Sequence, residues 1–157
     1  MDLSQLFRPE DLLVDFAPDD KWDAIAKLVA HLADAGRLPA DSSKAVLEQV
    51  LARERSMSTG MERGIAIPHA AVDQVDHVVA AMGIVSRPDG LSFESIDARP
   101  ARLVVLLVIP RSQKLLHIRT LADVARVLAI ESVREALLAA TSGAQAWEAL
   151  QAAEATR

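Results

Sequence analysis

The sequence predicts one α/β domain, and three observations support this fold class. Amphipathic helical segments and short apolar runs are mixed along the whole chain, without a linker, a repeat or a low-complexity block. Two of the apolar runs, residues 77–85 and 103–109, are continuous and contain β-branched residues, which is typical of strands covered on both faces. A chain of 157 residues can bury about 70% of the surface that it exposes when unfolded. We therefore expect residues 1–157 to form a single domain.

The first third of the chain predicts a short strand followed by a helix. Residues 12–16 are apolar and bounded by prolines, which indicates a short strand near a sheet edge. Asp19 or Asp20 offers an N-cap for a helix that continues to about Ala35, and Gly36 is suited to the C′ position. The buried stripe of this helix is expected to comprise Trp22, Ile25, Leu28, Val29 and Leu32.

A second helix and a glycine-containing loop come next. The helix is expected to begin near Asp41 or Ser42 and to end in the charged residues 53–55. Its apolar face comprises Val46, Leu47, Val50 and Leu51. Residues 56–64 are small, polar and interrupted by glycine, which predicts a loop.

Four further strands and three helices are predicted downstream of this loop. Residues 65–67 enter a strand that Pro68 should end or confine to an edge, because proline cannot donate to a β-ladder. The two apolar runs at 77–85 and 103–109 follow, with a short strand at 91–93 between them. The remainder is helical, with two shorter helices at 133–140 and 144–152 after a helix whose stripe comprises Leu116, Leu121, Val124, Ala125 and Leu128.

The composition argues against several classes of function. The chain has no cysteine, which excludes disulfide scaffolds, thiolate metal sites and cysteine nucleophiles. A formal net charge of −5 and only 3% aromatic residues argue against nucleic acid as a partner. No signal peptide is visible, and the longest apolar run is far shorter than the roughly 20 residues that a membrane helix needs. We expect a cytoplasmic protein whose covalent chemistry runs through one of its four histidines.

Two of the four histidines lie where α/β proteins place their chemistry. His69 follows an apolar strand and adjoins the loop that carries Thr59, and His117 lies in the first turns of the helix after a central strand. Strand ends, small-residue loops and helix N-termini favour catalytic groups and bound anions. From position alone, a structural strand-capping role for His69 is equally plausible. His31, inside a helix, and His77, at a strand entry, are expected to be bystanders.

The pocket expected between these two histidines lacks the residues of several enzyme classes. It has no pair of catalytic carboxylates, as a glycosidase requires. A zinc hydrolase using His69 and His117 is disfavoured because no third ligand is placed on a rigid element. The chain contains neither a G-x-S-x-G nucleophile motif nor a G-x-x-x-x-G-K-[ST] phosphate loop. A histidine that itself becomes phosphorylated remains the best candidate.

Residues 53–69 carry a motif of known type. They read Arg-Glu-Arg-Ser-Met-Ser-Thr-Gly-Met-Glu-Arg-Gly-Ile-Ala-Ile-Pro-His. This stretch resembles the signature of the type-2 enzyme IIA domains of the phosphoenolpyruvate-dependent phosphotransferase system, the fructose/mannitol class that includes the nitrogen-regulatory IIA protein. The resemblance continues through residues 93–97, 103–110 and 117–122, so it covers nearly the whole chain. The Gly-x-Ala-x-Pro-His motif, with a His-(aliphatic)-x-x-Leu helix in register downstream, makes the resemblance specific.

The resemblance implies a fold, a site and partners. The fold is a mixed, roughly five-stranded sheet with helices on both faces. His69 matches the phosphorylated histidine, His117 a second active-site histidine that would stabilise the phosphoryl group, and Arg53 an arginine near that group. Thr59 lies on the family's Ser-Thr-Gly loop. The implied reaction moves a phosphoryl group from the small histidine phosphocarrier protein onto His69, without a cofactor or metal. The downstream partner would be a regulatory target protein or an enzyme IIB component, and neither nucleic acid nor membrane insertion is expected.

The resemblance leaves three functions open. The leading interpretation is a phosphocarrier in a regulatory, nitrogen-type branch, and the alternative is the IIA component of a fructose- or mannitol-type sugar uptake system. The alternative of another class is a binding module whose IIA-like site no longer transfers phosphoryl groups.

The loop departs from the family pattern at four positions, one of which is Ser56, where an aliphatic residue or lysine is common. Met57 and Glu62 stand where glycine is frequent, and Arg63 stands where asparagine is frequent. We expect the Arg63 side chain to point to solvent. Met57, Met61 and Ile65 are candidate contacts for the phosphocarrier, although Ile65 is better explained as a core residue.

Overall fold

The structure is a computed structural model that describes residues 2–155, so residues 1, 156 and 157 of the expected domain lie outside the described residues. Short 3-10 turns at Pro9–Asp11 and Ala40–Ser42 precede the first strand and the third helix. The helices and strands follow in the order α1 (Leu3–Leu6), β1 (Leu12–Phe16), α2 (Lys21–Asp34), α3 (Ser43–Ser56), β2 (Ile65–Ala66), β3 (His69–Val72), β4 (Val79–Val85), β5 (Leu103–Pro110), α4 (Lys114–Leu128), α5 (Glu131–Ala139) and α6 (Gly143–Ala155).

Strand β5 is the centre of a five-stranded mixed sheet. The sheet order is β1-β4-β5-β2, and β3 pairs with the same side of β5 as β2. Strands β4 and β5 are antiparallel, whereas β1 is parallel to β4, and β2 and β3 are parallel to β5. Because alternate residues of a strand face opposite sides, β5 supplies two cores. One core lies under α1, α4, α5 and α6 and includes Leu103, Val105, Leu107 and Ile109. The other lies under α2 and α3 and includes Val104, Leu106 and Val108. The predicted fold class is confirmed.

Helix α2 forms as its end signals predict, except at one aromatic residue. The Asp20 carboxylate accepts the backbone N–H of Asp23, and Gly36 has a positive φ of 74° after the last turn. The prediction that Trp22 is buried was wrong, because Lys21 takes the buried position four residues before Ile25. The Trp22 ring stays at the surface, 4.8 Å from the Lys21 ammonium nitrogen. Within residues 2–155, no helix is both long and apolar enough to span a membrane.

Two predicted strands differ from the structure. Strand β4 begins at Val79 rather than at His77, because in its register residue 77 would oppose Pro110, which has no N–H to donate. Residues 91–93 form only a single bridge between Leu91 and Ala101 instead of a strand. The chain leaves this bridge at once, because the carbonyl of Phe93 accepts the Ser58 hydroxyl and the following residue has a positive φ of 52°.

The strand that contains the Pro-His pair is interrupted rather than ended. The N–H of Ile67 donates to the Thr59 carbonyl (3.1 Å), while the carbonyl of Pro68 still accepts the N–H of Leu107 (3.0 Å). Pairing with β5 then resumes at His69. The expected placement of His69 at a strand exit was therefore wrong, since His69 opens β3. The expectation that this strand runs along a sheet edge is confirmed.

Both edges of the sheet are irregular. At the outer side of β2, residue 60 forms an antiparallel bridge with Ala66, and the N–H of Met61 donates to the Ile65 carbonyl (2.8 Å). At the other edge, β1 is the short strand that the sequence predicts. Its register shifts between Leu13 and Phe16, where Asp15 has a positive φ of 55°.

The carboxylate of Asp11 ties the start of β1 to the end of α2. Asp11 is fully buried and bonds to the Nε2 atom of His31 at 2.9 Å and to the guanidinium of Arg37. His31 thus has a structural partner, in line with its expected bystander role. His77 lies exposed beside Asp76.

We expect the Asp11→Ala variant to lower the free energy of unfolding by about 3 kcal/mol, because it leaves the Arg37 charge without its carboxylate partner in a mostly buried position. Urea denaturation measures this change. The matched control is Asp34→Ala at an exposed position of α2, which should change the free energy by less than about 0.5 kcal/mol. Equal stabilities of the two variants would contradict this role of Asp11.

Candidate active site

A cleft of about 480 Å³ opens beside β3, between α4 and the loop of residues 57–64. His69 pairs in register with Leu107, whose side chain belongs to the core under α4. Paired residues of neighbouring strands point to the same face, so the imidazole of His69 is directed towards α4. The cleft is lined by Arg53, Met57, Ser58, Thr59, Gly60, Met61, Ile67, His69, Glu94, Ile96, Leu121 and Ala125.

The structure brings His69 and His117 together. Their ring centroids are 5.3 Å apart, and the ring planes meet at 77°, an edge-to-face arrangement. His117 is half-buried in the first turn of α4. Within residues 2–155, its ring nitrogens have no hydrogen-bond partner. His117 therefore has a free ring nitrogen to offer to a ligand bound at His69.

A backbone carbonyl selects the tautomer of His69. The Nδ1 atom lies 2.7 Å from the carbonyl oxygen of Ile67. A carbonyl oxygen only accepts hydrogen bonds, so Nδ1 carries the proton and donates it. The neutral ring consequently keeps its lone pair on Nε2, for which the described residues provide no partner.

The surroundings of His69 also keep its ring neutral. Burial lowers the pKa of His69 below its ordinary value of 6.5, because an imidazolium loses solvation in this site. The hydrogen bond to Ile67 opposes this shift, whereas the charges of Arg53 and His117 lower the pKa further. The carboxylate of Glu54 has a smaller opposing effect. The net direction favours an unprotonated Nε2 at neutral pH.

Arg53 and Thr59 reach the cleft from its α3 side. Arg53 lies in the last turn of α3, and its Nη1 donates to the Met57 carbonyl at 2.8 Å. A guanidinium has five N–H donors, so others remain for a bound anion. Thr59 is buried, and its hydroxyl donates to the Glu54 carboxylate.

Sequence reasoning missed the buried charges beneath this loop. Glu54 is only 2% exposed, and Lys21 lies beside it with an Nζ–Oε2 distance of 3.4 Å. The helix periodicity does indicate that Glu54 is buried, because residues 46, 50 and 54 follow one another at four-residue intervals on one face of α3. The position of Lys21 depends on how α2 packs, and no local pattern indicates it.

Exposed apolar side chains occur in the cleft and on the neighbouring part of α4. Met57 and Ile96 line it and are mostly exposed, and Leu115 and Ile118 lie exposed on α4 on either side of His117. A second, apolar cavity of about 220 Å³ adjoins the cleft and shares Met61, Ile67, Ile96 and Ala125 with it.

The candidate contact residues of the loop differ in their exposure. Met57 is exposed and Met61 half-buried at the cleft, whereas Ile65 is buried in the core. Arg63 is exposed, as expected, with a positive φ of 63°. Its N–H donates to the Asp97 carboxylate (2.9 Å), which stabilises this backbone conformation. Among residues 2–155, no group of three His, Asp or Glu side chains is arranged to hold a metal ion.

The comparisons with known proteins identify the family of this chain. The family model described as "Phosphoenolpyruvate-dependent sugar phosphotransferase system, EIIA 2" matches residues 5–153. The chain belongs to this family, whose members are phosphotransferases that pass a phosphoryl group through a histidine.

Two curated relatives carry a regulatory and a sugar-specific name. A "Nitrogen regulatory protein" of Bradyrhizobium diazoefficiens is 30% identical over 156 residues, which cover 99% of both chains. A "PTS system fructose-specific EIIA component" of Haloferax volcanii is 34% identical over 141 residues, which cover 90% of this chain and 89% of the relative.

Solved structures share the fold. The nitrogen regulatory protein IIA-Ntr of Neisseria meningitidis superposes with a TM-score of 0.83 at 24% identity, covering 94% of this chain and 98% of that one. Enzyme IIAMTL of Escherichia coli, in a complex with phosphorylated enzyme IIBMTL, superposes with a TM-score of 0.76 at 23% identity, covering 93% of this chain and 97% of that one.

We expect the Arg53→Gln variant to raise the pKa of His69, because it removes a positive charge that disfavours the imidazolium. A pH titration followed by NMR of the histidine ring signals measures this pKa. In the wild-type protein the His69 midpoint should lie below 6.5. The control Arg55→Gln, at an exposed position of the same helix, should leave the midpoint in place. A midpoint unmoved by Arg53→Gln would show that this guanidinium does not act on His69.

Proposed function

We propose that Nε2 of His69 is the atom that accepts the phosphoryl group in this protein. The observation that carries the proposal is the pairing of a buried, neutral imidazole with a backbone carbonyl at Nδ1, which leaves the Nε2 lone pair available beside His117 and Arg53. An unprotonated, positioned nitrogen is what a phosphoryl acceptor requires. A structural strand cap would not need two further cationic or donor groups around the free nitrogen.

The transfer that we propose is a displacement between two imidazoles. The Nε2 lone pair of His69 forms a bond to phosphorus, and the N–P bond of the phosphohistidine on the donor breaks, returning its electron pair to the donor imidazole. The Nδ1 proton stays on the hydrogen bond to Ile67 throughout. Because the bond formed and the bond broken are of one type, the step is reversible and close to thermoneutral, and it depends mainly on positioning and electrostatics.

His117 and Arg53 stabilise the transferred group in this mechanism. The phosphoryl oxygens carry the negative charge of the transition state, and preorganised donors there lower its free energy. Arg53 can offer N–H groups not used by Met57, and His117 offers an unpartnered ring nitrogen. Thr59, the fourth predicted site residue, lines the cleft, but its hydroxyl proton is engaged by Glu54. We therefore assign Thr59 a structural role in the loop. Its hydroxyl can donate to the phosphoryl group only when its hydrogen bond to Glu54 breaks.

The donor in this proposal is the small histidine phosphocarrier protein. The exposed apolar side chains of Met57 and Ile96, which line the cleft, support a protein rather than a small molecule as the donor. The same exposed apolar surface would bind the downstream partner after the donor leaves. The function implies a cytoplasmic location, because phosphoenolpyruvate, the source of the phosphoryl group, is a cytosolic metabolite.

We further propose that the chain serves a regulatory branch of the phosphotransferase system. The end-to-end match to a nitrogen regulatory protein supports this assignment. The similarity to a fructose-specific EIIA component keeps sugar uptake as the second candidate. In the regulatory case the phosphoryl group changes the charge of the surface that a target protein meets. In the uptake case an enzyme IIB component takes the group.

We expect the protein to gain one acid-labile phosphoryl group when it is incubated with phosphoenolpyruvate, enzyme I and the phosphocarrier, as measured by intact mass. The His69→Gln variant should gain none, whereas the control variants His31→Gln and His77→Gln should be phosphorylated like the wild-type protein. His117→Ala should slow the transfer by about 100-fold, because a donor to the transition state is lost. Absence of the wild-type adduct while the phosphocarrier is itself phosphorylated would refute the transfer function and favour a binding module.

We expect the phosphorylated protein to retain its phosphoryl group when it is mixed with a fructose-type enzyme IIB. Enzyme IIAMTL of Escherichia coli with enzyme IIBMTL serves as the positive control for the assay. Radiolabelled phosphate followed through both proteins measures the transfer. Efficient transfer to enzyme IIB would overturn the regulatory assignment in favour of sugar uptake.

A further inference from the structure

A buried ion pair lies beneath the site loop, and the mechanism above does not use it. Lys21 opens α2 and Glu54 lies in the last turn of α3, and their side chains are 9% and 0% exposed. The Lys21 ammonium also lies 4.8 Å from the centroid of the Trp22 ring and 5.8 Å from that of Phe93. Burying two charges is costly, and apolar residues of similar volume often stabilise a fold equally well. Stability alone therefore does not explain this ion pair.

Both carboxylate oxygens of Glu54 also accept hydrogen bonds from one residue of the loop. Its Oε2 accepts the backbone N–H of Thr59 at 2.9 Å, and its Oε1 accepts the Thr59 hydroxyl. Hydrogen bonds to a carboxylate are roughly twice as strong as those between neutral groups. The Glu54 carboxylate thus fixes the position of Thr59 through its backbone N–H and its hydroxyl. The Lys21 ammonium balances the negative charge of this carboxylate.

The backbone of Thr59 is linked to His69 by two further hydrogen bonds. The Thr59 carbonyl accepts the N–H of Ile67 at 3.1 Å. The carbonyl of Ile67 in turn accepts the Nδ1–H of His69 at 2.7 Å. Each of these two residues is thus held at its N–H and at its carbonyl, so the position of the Thr59 backbone bears on that of the Ile67 carbonyl.

We propose that Glu54, held by Lys21, is a positioning residue for phosphoryl transfer, which fixes the tautomer of His69 through the Thr59 and Ile67 peptides. The inference rests on the proposed role of His69 as acceptor. Glu54 reaches His69 only through the backbone of Thr59 and Ile67, so it acts only by holding that backbone in place. Without this anchor the Ile67 carbonyl is free to turn. The ring then populates the tautomer with its proton on Nε2, which has no lone pair for attack.

Three variants test this chain of hydrogen bonds. Glu54→Gln removes the charge of the anchor but keeps its shape. Lys21→Met combined with Glu54→Gln removes both charges, so that the buried ammonium is not left with only the exposed Glu94 carboxylate at 3.8 Å if the single variant folds poorly. Glu48→Gln is the matched control, because it makes the same chemical change at an exposed position of α3. Urea denaturation establishes that each variant is folded under the assay conditions.

Two readouts separate positioning from stability. Ring ¹⁵N NMR of the unphosphorylated protein, at a pH where His69 is neutral, distinguishes the protonated from the unprotonated nitrogen. We expect the Nδ1 and Nε2 signals of His69 to converge in Glu54→Gln and in the double variant, while those of His31 stay in place. We expect the rate of phosphoryl transfer from the phosphocarrier to fall about tenfold or more in both variants, because the acceptor atom is misplaced or protonated. Glu48→Gln should match the wild-type protein in both readouts.

The outcomes distinguish this inference from the proposed function. Unchanged His69 signals in the folded double variant would overturn the inference, even if the transfer rate fell, because the effect would then be structural only. Converging signals with an unchanged transfer rate would also overturn it. If the signals converge but the wild-type protein accepts no phosphoryl group at His69, the anchoring of the tautomer is supported and the proposed function fails.

Discussion

Both backbone groups of Ile67 face away from β5, and the arrangement of the site depends on the two hydrogen bonds that they make. Ile67 donates its N–H to the loop at Thr59, and its carbonyl is left to accept the ring of His69. Pairing resumes at His69, so the imidazole is held on a strand rather than on a free loop. The strand therefore places the ring, and the carbonyl of Ile67 orients it and selects its protonated nitrogen. These backbone groups are available because Ile67 lies on an edge strand with its N–H and carbonyl facing away from β5.

One electrostatic arrangement serves both states of the site. Burial and the neighbouring charges of Arg53 and His117 lower the pKa of His69 and keep the empty site nucleophilic. Once a phosphoryl group is bound, these same neighbours face an anion and become favourable partners. The neighbours that disfavour a protonated His69 thus stabilise its phosphorylated form. The chain as a whole has a net charge of −5, and Arg53 places a positive charge at the cleft of this acidic molecule.

Local patterns predicted most of the fold, and tertiary contacts account for the differences. Apolar periodicity and caps placed α2 and the central strand β5 because these features depend on neighbours in sequence. Trp22 was misplaced because helix periodicity does not decide between two adjacent residues at the end of a stripe. The starting point of β4 depends on which residue of β5 opposes it, and register is a property of two distant segments.

For the site, the sequence singled out the side chains but not the connections between them. The Pro-His pair and the family motif pointed to His69, His117, Arg53 and Thr59, and all four lie at or beside one cleft. The buried partnership of Lys21 with Glu54 joins residues 33 positions apart. No local pattern encodes such a pair. The tautomer of His69 likewise depends on a backbone carbonyl, which a list of side chains does not reveal.

The irregular edges of the sheet bear on how the protein behaves at high concentration. An exposed, regular strand edge can pair with another molecule and start aggregation. Here β1 is interrupted by the register shift at Asp15, and the outer side of β2 is occupied by the loop that forms the cleft. The loop is therefore also a cover for backbone donors and acceptors that would otherwise be open. Keeping the chain monodisperse and keeping its site assembled are, at this edge, the same structural requirement.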